Sequence, residues 1–102
     1  MAGENTWRVT QVTTANDAAA HTLLASAGAL ANRERAKVVN PVGPAGPKLY
    51  ISTDPTCPTN SERADPDGGV WLERMGPSAT LYYRWETAPG SALDVQVIEC
   101  AS

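Results

Sequence analysis

Residues 93–99, Leu-Asp-Val-Gln-Val-Ile-Glu, alternate apolar and polar side chains, and this two-residue period constrains the fold more than any other feature of the chain. Successive side chains on a strand point to opposite faces, so Leu93, Val95 and Val97 turn to a core while Asp94 and Gln96 turn to solvent. Wound into a helix, the same residues would present no continuous apolar face. The period recurs. Residues 6–14 (TWRVTQVTT) are rich in β-branched side chains and read as a first strand. Residues 48–53 put Leu49, Ile51 and Thr53 on one face, with Tyr50 and Ser52 on the other. Val70 and Leu72 share a side. Leu81, Tyr83 and Trp85 share another, opposite Thr80, Tyr82 and Arg84.

Glycine and proline cluster between these runs, at residues 43–47, 54–69, 75–78 and 88–91, where they supply turn chemistry. Short strands punctuated in this way predict an all-β fold: an antiparallel β-sandwich or jelly-roll-like barrel of about seven strands. The Gly-Pro triplets at Gly43 and Gly46 are not a collagen repeat, which needs glycine at every third position over many triplets. They read as a hairpin connection between residues 36–40 (AKVVN) and 48–53 (KLYIST). Residues 16–34 are ambiguous. Leu23, Ala27 and Leu30 have helical spacing behind a cap at Asn16 or Asp17, and the alanine content leans to helix. A short strand at residues 21–25 followed by a loop is the other reading.

The 102 residues suffice for one domain with a modest core. Phe is absent, so aromatic burial falls to three Trp and three Tyr. Net charge is −3, with basic residues scattered except at Arg33-Glu34-Arg35. Nothing resembles the basic stripe that phosphate neutralisation requires, so nucleic acid is not an expected partner. No run is long and apolar enough to span a bilayer, and the first residues lack the charged and apolar parts of a signal peptide. The expectation is a protein made in the cytosol and kept there or released by lysis. Cys57 and Cys100 are then expected as free thiols. No Cys-x-x-Cys, His pair or His/Cys cluster is present to hold a metal.

Few residues suggest chemistry. His21 is the one histidine, and without a nucleophile-elbow motif it has no local signature of a catalytic triad. Its pairing with Cys57 reads as coincidence. Asp65 and Asp67 lie in Asp-Pro-Asp-Gly, a turn sequence lacking the ligand count of a calcium loop. The aromatics say more. Trp7, Trp71, Tyr82 and Trp85 on one sheet face would make a flat sugar-binding platform, or they serve as core or interface residues. Tyr83 and Trp85 fall in phase with the core. Trp71 and Tyr82 fall out of phase, which makes them candidates for a binding surface.

The order Thr22-Leu23-Leu24-Ala25, Ala31-Asn32-Arg33, Val38-Val39-Asn40, residues 49–53 (LYIST), residues 69–73 (GVWLE) and Gly76-Pro77 resembles small bacteriophage virion proteins of the head decoration, or cement, type. It runs over residues 22–83, departing in a longer insertion at residues 26–30 and in the Pro-rich connection. The resemblance implies that Leu23-Leu24 lies on a strand, with a short helical turn at residues 27–31 left open. It implies a non-enzymatic protein without cofactor, found in the virion on the capsid surface after assembly in the host cytoplasm. The implied partner is the major capsid protein or another virion protein. Symmetric sets of shell sites imply a homo-oligomer, with a homotrimer at three-fold positions as the expected form. Head fibre, neck or tail components, and a carbohydrate-binding β-sandwich, are the alternatives. In this reading residues 1–6 form a flexible arm before a single domain at residues 7–102. The expected partner-binding residues are Glu4, Asn5, Thr6, Trp7, Trp71 and Tyr82.

Overall fold

A computed structural model describes residues 6–101. Among them the alternating segments form eight strands: β1 (Thr6–Thr13), β2 (His21–Leu24), β3 (Arg33–Val39), β4 (Leu49–Ser52), β5 (Glu62–Ala64), β6 (Gly69–Leu72), β7 (Leu81–Trp85) and β8 (Asp94–Ala101). Their antiparallel pairing is nested: β1 with β8, β2 with β7, β3 with β6, and β4 with β5. Pairings of β3 with β8 and of β4 with β7 complete two four-stranded sheets, ordered β1-β8-β3-β6 and β2-β7-β4-β5. This is a jelly roll, a long double-stranded ribbon with its tip at β4–β5, rolled so that its pairs alternate between two sheets. The all-β expectation holds, with eight strands.

Two local expectations change, and one ambiguity is resolved. The connection at residues 41–47 is not a hairpin, because β3 lies in the first sheet and β4 in the second. Asn40 explains the crossing. Its buried side-chain amide donates to the carbonyls of Pro47 (3.0 Å) and Ala64 (3.1 Å), and its Oδ1 accepts from the Val42 N–H (3.0 Å). One side chain thus ties the end of β3 to both β4 and β5 across the gap. At Gly46 an added Cβ would stand 1.6 Å from Val42 Cγ1, so the turn closed by Gly46 N–H on Gly43 O needs glycine there. Residues 62–64, expected within a turn region, form β5, a strand too short to show a period. Residues 21–24 form the strand that the resemblance implies, not the helix to which the alanine content leans, and a 3-10 turn follows at Ser26–Gly28. Pairing with β7 carries Leu23 into the core, and that burial outweighs the helical preference of the alanines.

Between the sheets pack Leu23, Ala36, Val38, Leu49, Ile51, Ala64, Leu72, Leu81, Tyr83, Trp85, Val95 and Val97. Leu49, Ile51, Leu72, Leu81, Tyr83, Trp85, Val95 and Val97 among them lie on the faces that the alternation grouped. The polar atoms that Trp85, Thr14 and Tyr83 carry inside are matched. Trp85 Nε1 donates to Thr14 Oγ1 (3.1 Å), which donates to the Leu93 carbonyl (2.8 Å), and Tyr83 Oη accepts from the Ala15 N–H (2.8 Å).

The other end of the sandwich is closed by charge. Glu99 follows Val95 and Val97 inward and is fully buried. Its Oε1 accepts from Arg8 Nε (3.0 Å), and its Oε2 accepts from Arg33 Nη1 (3.1 Å) and the Leu30 N–H (2.8 Å). Arg33 donates onward from Nε to Met75 O (3.0 Å) and from Nη2 to the carbonyls of Gly76 and Ala79 (both 2.8 Å). A bulge makes this reachable. Arg33 opposes Ala101 and Arg35 opposes Cys100, so β3 spends one extra residue, Glu34, against β8. Arg33 and Arg35 would otherwise share a face. With the bulge, Arg33 turns inward and Arg35 outward, and the Glu34 carbonyl accepts from Met75 N–H (2.7 Å).

Removing one partner of a buried ion pair leaves the other charge unmatched and costs about 3–5 kcal/mol. Arg33→Leu is therefore expected to lower unfolding stability by about that amount. Urea unfolding followed by tryptophan fluorescence measures it; a loss below ~1 kcal/mol, the worth of an exposed pair, would show that the network does not hold this end closed.

Candidate functional site

The first sheet turns an aromatic and cationic face to solvent. Its outward positions follow from the register. Val9, Ile98, Lys37 and Trp71 form one row across all four strands, and Trp7, Cys100 and Arg35 form the next. Trp7 on β1 and Trp71 on β6 start from opposite edges, ~14 Å apart at normal strand spacing. Their indoles nonetheless reach toward each other over β8 and β3 and meet edge to face, with centroids 6.4 Å apart and planes at 74°. Cys100 lies in the row between them and is buried.

Cations line the same surface. The Arg35 guanidinium carbon sits 4.5 Å from the Trp71 ring centroid, and Lys37 Nζ lies 5.7 Å from it, both within cation–π range. Arg35 also faces Glu73 across 3.8 Å of exposed surface, a pair worth little in water. An open depression of 370 Å³ adjoins this corner, lined by Arg33, Glu34, Arg35, Glu73, Arg74 and Gly76. Trp7 (54% exposed) and Val9 (57%) are the large hydrophobic side chains most open to water among the described residues.

The expected binding residues separate. Trp7 and Trp71 come together on this face. Tyr82 does not join them: it points out from β7 in the second sheet, beside Thr22 and Ser52, on the opposite side of the molecule. Trp85 is in the core, so the platform of four aromatics does not form. Thr6 is the first residue of β1 rather than part of an arm, and Glu4 and Asn5 lie outside the described residues. Val9, Arg35, Lys37 and Ile98 belong to the face but were not singled out from the sequence. The alternation of residues 6–14 already aligned Val9 with Trp7. Nothing in the sequence revealed the bulge that sends Arg35 outward.

The remaining candidates have structural surroundings. His21 Nε2 lies 2.9 Å from Asp17 Oδ1, and its ring stacks on Tyr83 at 5.5 Å. The hydrogen bond with His21, helped by the Ala19 N–H, lowers the Asp17 carboxyl below its usual range. Cys57 is buried in the β4–β5 connection with Sγ 3.4 Å from the Tyr50 carbonyl, and burial pushes its thiol up against the opposing charge of Arg84. It and Cys100 are free thiols, one packed on each sheet. Asp65–Gly68 is a turn closed by Gly68 N–H on Asp65 O (3.0 Å), with Asp67 at φ 57°.

No protein-family model, curated protein or solved structure matches the chain.

Trp7 and Trp85 separate surface from core in one comparison. Trp85→Ala is expected to cost about 3–5 kcal/mol, as for a buried tryptophan. Trp7→Ala is expected to stay within about 1 kcal/mol, the Trp71 contact being its main loss. Iodide quenching of the native protein should fall in Trp7→Ala, since that variant removes the most exposed indole; equal costs for the two substitutions would contradict the assignment of faces.

Proposed function

We propose that the protein is a bacteriophage structural protein that binds the outer surface of the head and reinforces the shell, using the Trp7–Trp71 face of the first sheet. The observation that carries this reading is the face itself. Aromatic and arginine side chains are the types enriched where proteins meet proteins, and two tryptophans, an arginine and the exposed Val9 are gathered here on a rigid sheet. The fold lends support by analogy, since jelly rolls recur in viral capsid and lectin domains, although a fold alone does not fix a function. The resemblance of residues 22–83 to decoration proteins points the same way.

Reinforcement follows from contact. A protein seated across neighbouring shell subunits adds interface that an expanding shell must break, and symmetric copies attach with multivalent strength. The partner in this reading is the major capsid protein, and the protein acts without cofactor or catalysis. A carbohydrate-binding role is less well supported by the same face. Sugars stack on open aromatic rings, and the Trp71 ring is approached by both Arg35 and Lys37.

The test is stoichiometry. Quantitative mass spectrometry of purified particles is expected to find the chain at a simple ratio to the most abundant shell protein. A few copies per particle would move it to the neck, tail or a fibre, and absence would remove the virion role. In a reconstituted binding assay, Trp7→Ala combined with Arg35→Glu is expected to weaken attachment at least ~30-fold, the effect of losing one hot spot. Tyr82→Ala, on the other side, should bind as the parent does.

A further inference from the structure

The two sheets have four edge strands, and three of them are poor templates for another strand. β2 has four residues and a bulge between Thr22 and Leu24, β5 has three residues, and β6 has four and starts at a glycine. β1 differs in every respect. It is eight residues long, pairs with β8 in unbroken register from Thr6↔Ala101 to Thr13↔Asp94, and contains neither proline nor lysine. Natural edges are usually blunted by shortness, bulges, proline or charge. The one charge on β1 is Arg8, whose guanidinium is already paired with the buried Glu99 carboxylate, so an added strand would not leave it without a partner.

We propose that β1 pairs antiparallel with β1 of a second copy of this chain, joining two first sheets into one eight-stranded sheet about a two-fold axis. This inference does not rest on the virion reading. A second copy fits because the edge is complementary to itself. Like faces meet only if opposed residue numbers have an even sum. The two longest overlaps that satisfy this set Val9 opposite Val9, or Val9 opposite Gln11. Arg8 then faces Thr10 or Val12, and no like charges oppose one another. In the first register the exposed Val9 side chains meet directly at the seam, and in the second they lie diagonally across it, so either way apolar surface is removed from water. An even sum also keeps the outward faces on one side, so two Trp7–Trp71 pairs share one continuous surface. This two-fold form takes the place of the trimer expected from shell symmetry.

Sedimentation equilibrium of the full chain across the micromolar range tests the proposal. The expected mass is twice the 10.8 kDa of one chain. Val9→Lys and Val9→Glu are each expected to lose the dimer while keeping the parent's circular dichroism spectrum, because Val9 is exposed in the single chain. An equimolar mixture of the two should regain a dimer, as opposite charges now meet at the seam. If neither Val9 variant folds, Val9→Thr, which keeps the β-branched shape and removes apolar surface from the seam, is expected to weaken the dimer. A monomeric or trimeric parent, or a folded Val9→Lys protein that remains a dimer, would overturn the pairing.

Discussion

The carboxylate of Glu99 is the constraint on which much of the architecture depends. A buried charge is tolerated only when its oxygens are matched, and here the matching groups come from β1, β3 and the chain before β3. Arg33 extends the requirement to the β6–β7 connection through three carbonyls. Satisfying one carboxylate therefore fixes the order β1-β8-β3, the bulge at Glu34 and the path of two loops. An apolar residue at this position would impose none of these conditions. At the other end, Asn40 with its two carbonyl partners and Thr14 with Trp85 do comparable work without charge.

The bulge also links fold to surface. The residue that lets Arg33 turn inward is the one that frees Arg35 to lie over Trp71. The ion network and the aromatic face are thus two results of one backbone irregularity. With Trp7 reaching across from β1, the outcome is a surface whose shape is set by the sheet rather than by loops. That suits rigid docking, where ordering costs are already met in the free protein. It is the physical reason for preferring this face over the opposite one, where Tyr82 stands beside Thr22 and Ser52 with no exposed tryptophan.

Much of this was legible in the sequence, and the failures have causes. Alternation located six of the eight strands and assigned Leu81, Tyr83, Trp85, Val95 and Val97 inward, because period two reports burial directly. It could have revealed Glu99 as well, which keeps step with Val95 and Val97. The residue type argued for the surface, and its two arginine partners are distant in sequence. β5 was missed because three residues carry no period. The connection at residues 41–47 was taken for a hairpin because glycine and proline announce a turn but not which sheet follows it. Trp7 and Trp71 were recognised as surface candidates. Their meeting depends on the nested order of strands, which no local pattern contains.

The proposed attachment to a shell depends on the outer face of the first sheet. Hydroxyl-radical footprinting of the protein free and bound to particles reads this directly, residue by residue. Binding is expected to reduce oxidation at Trp7 and Trp71 while Tyr82, on the opposite sheet, reacts as before. Protection of Tyr82 with Trp7 and Trp71 unchanged would contradict the account and place the contact on the other side of the jelly roll.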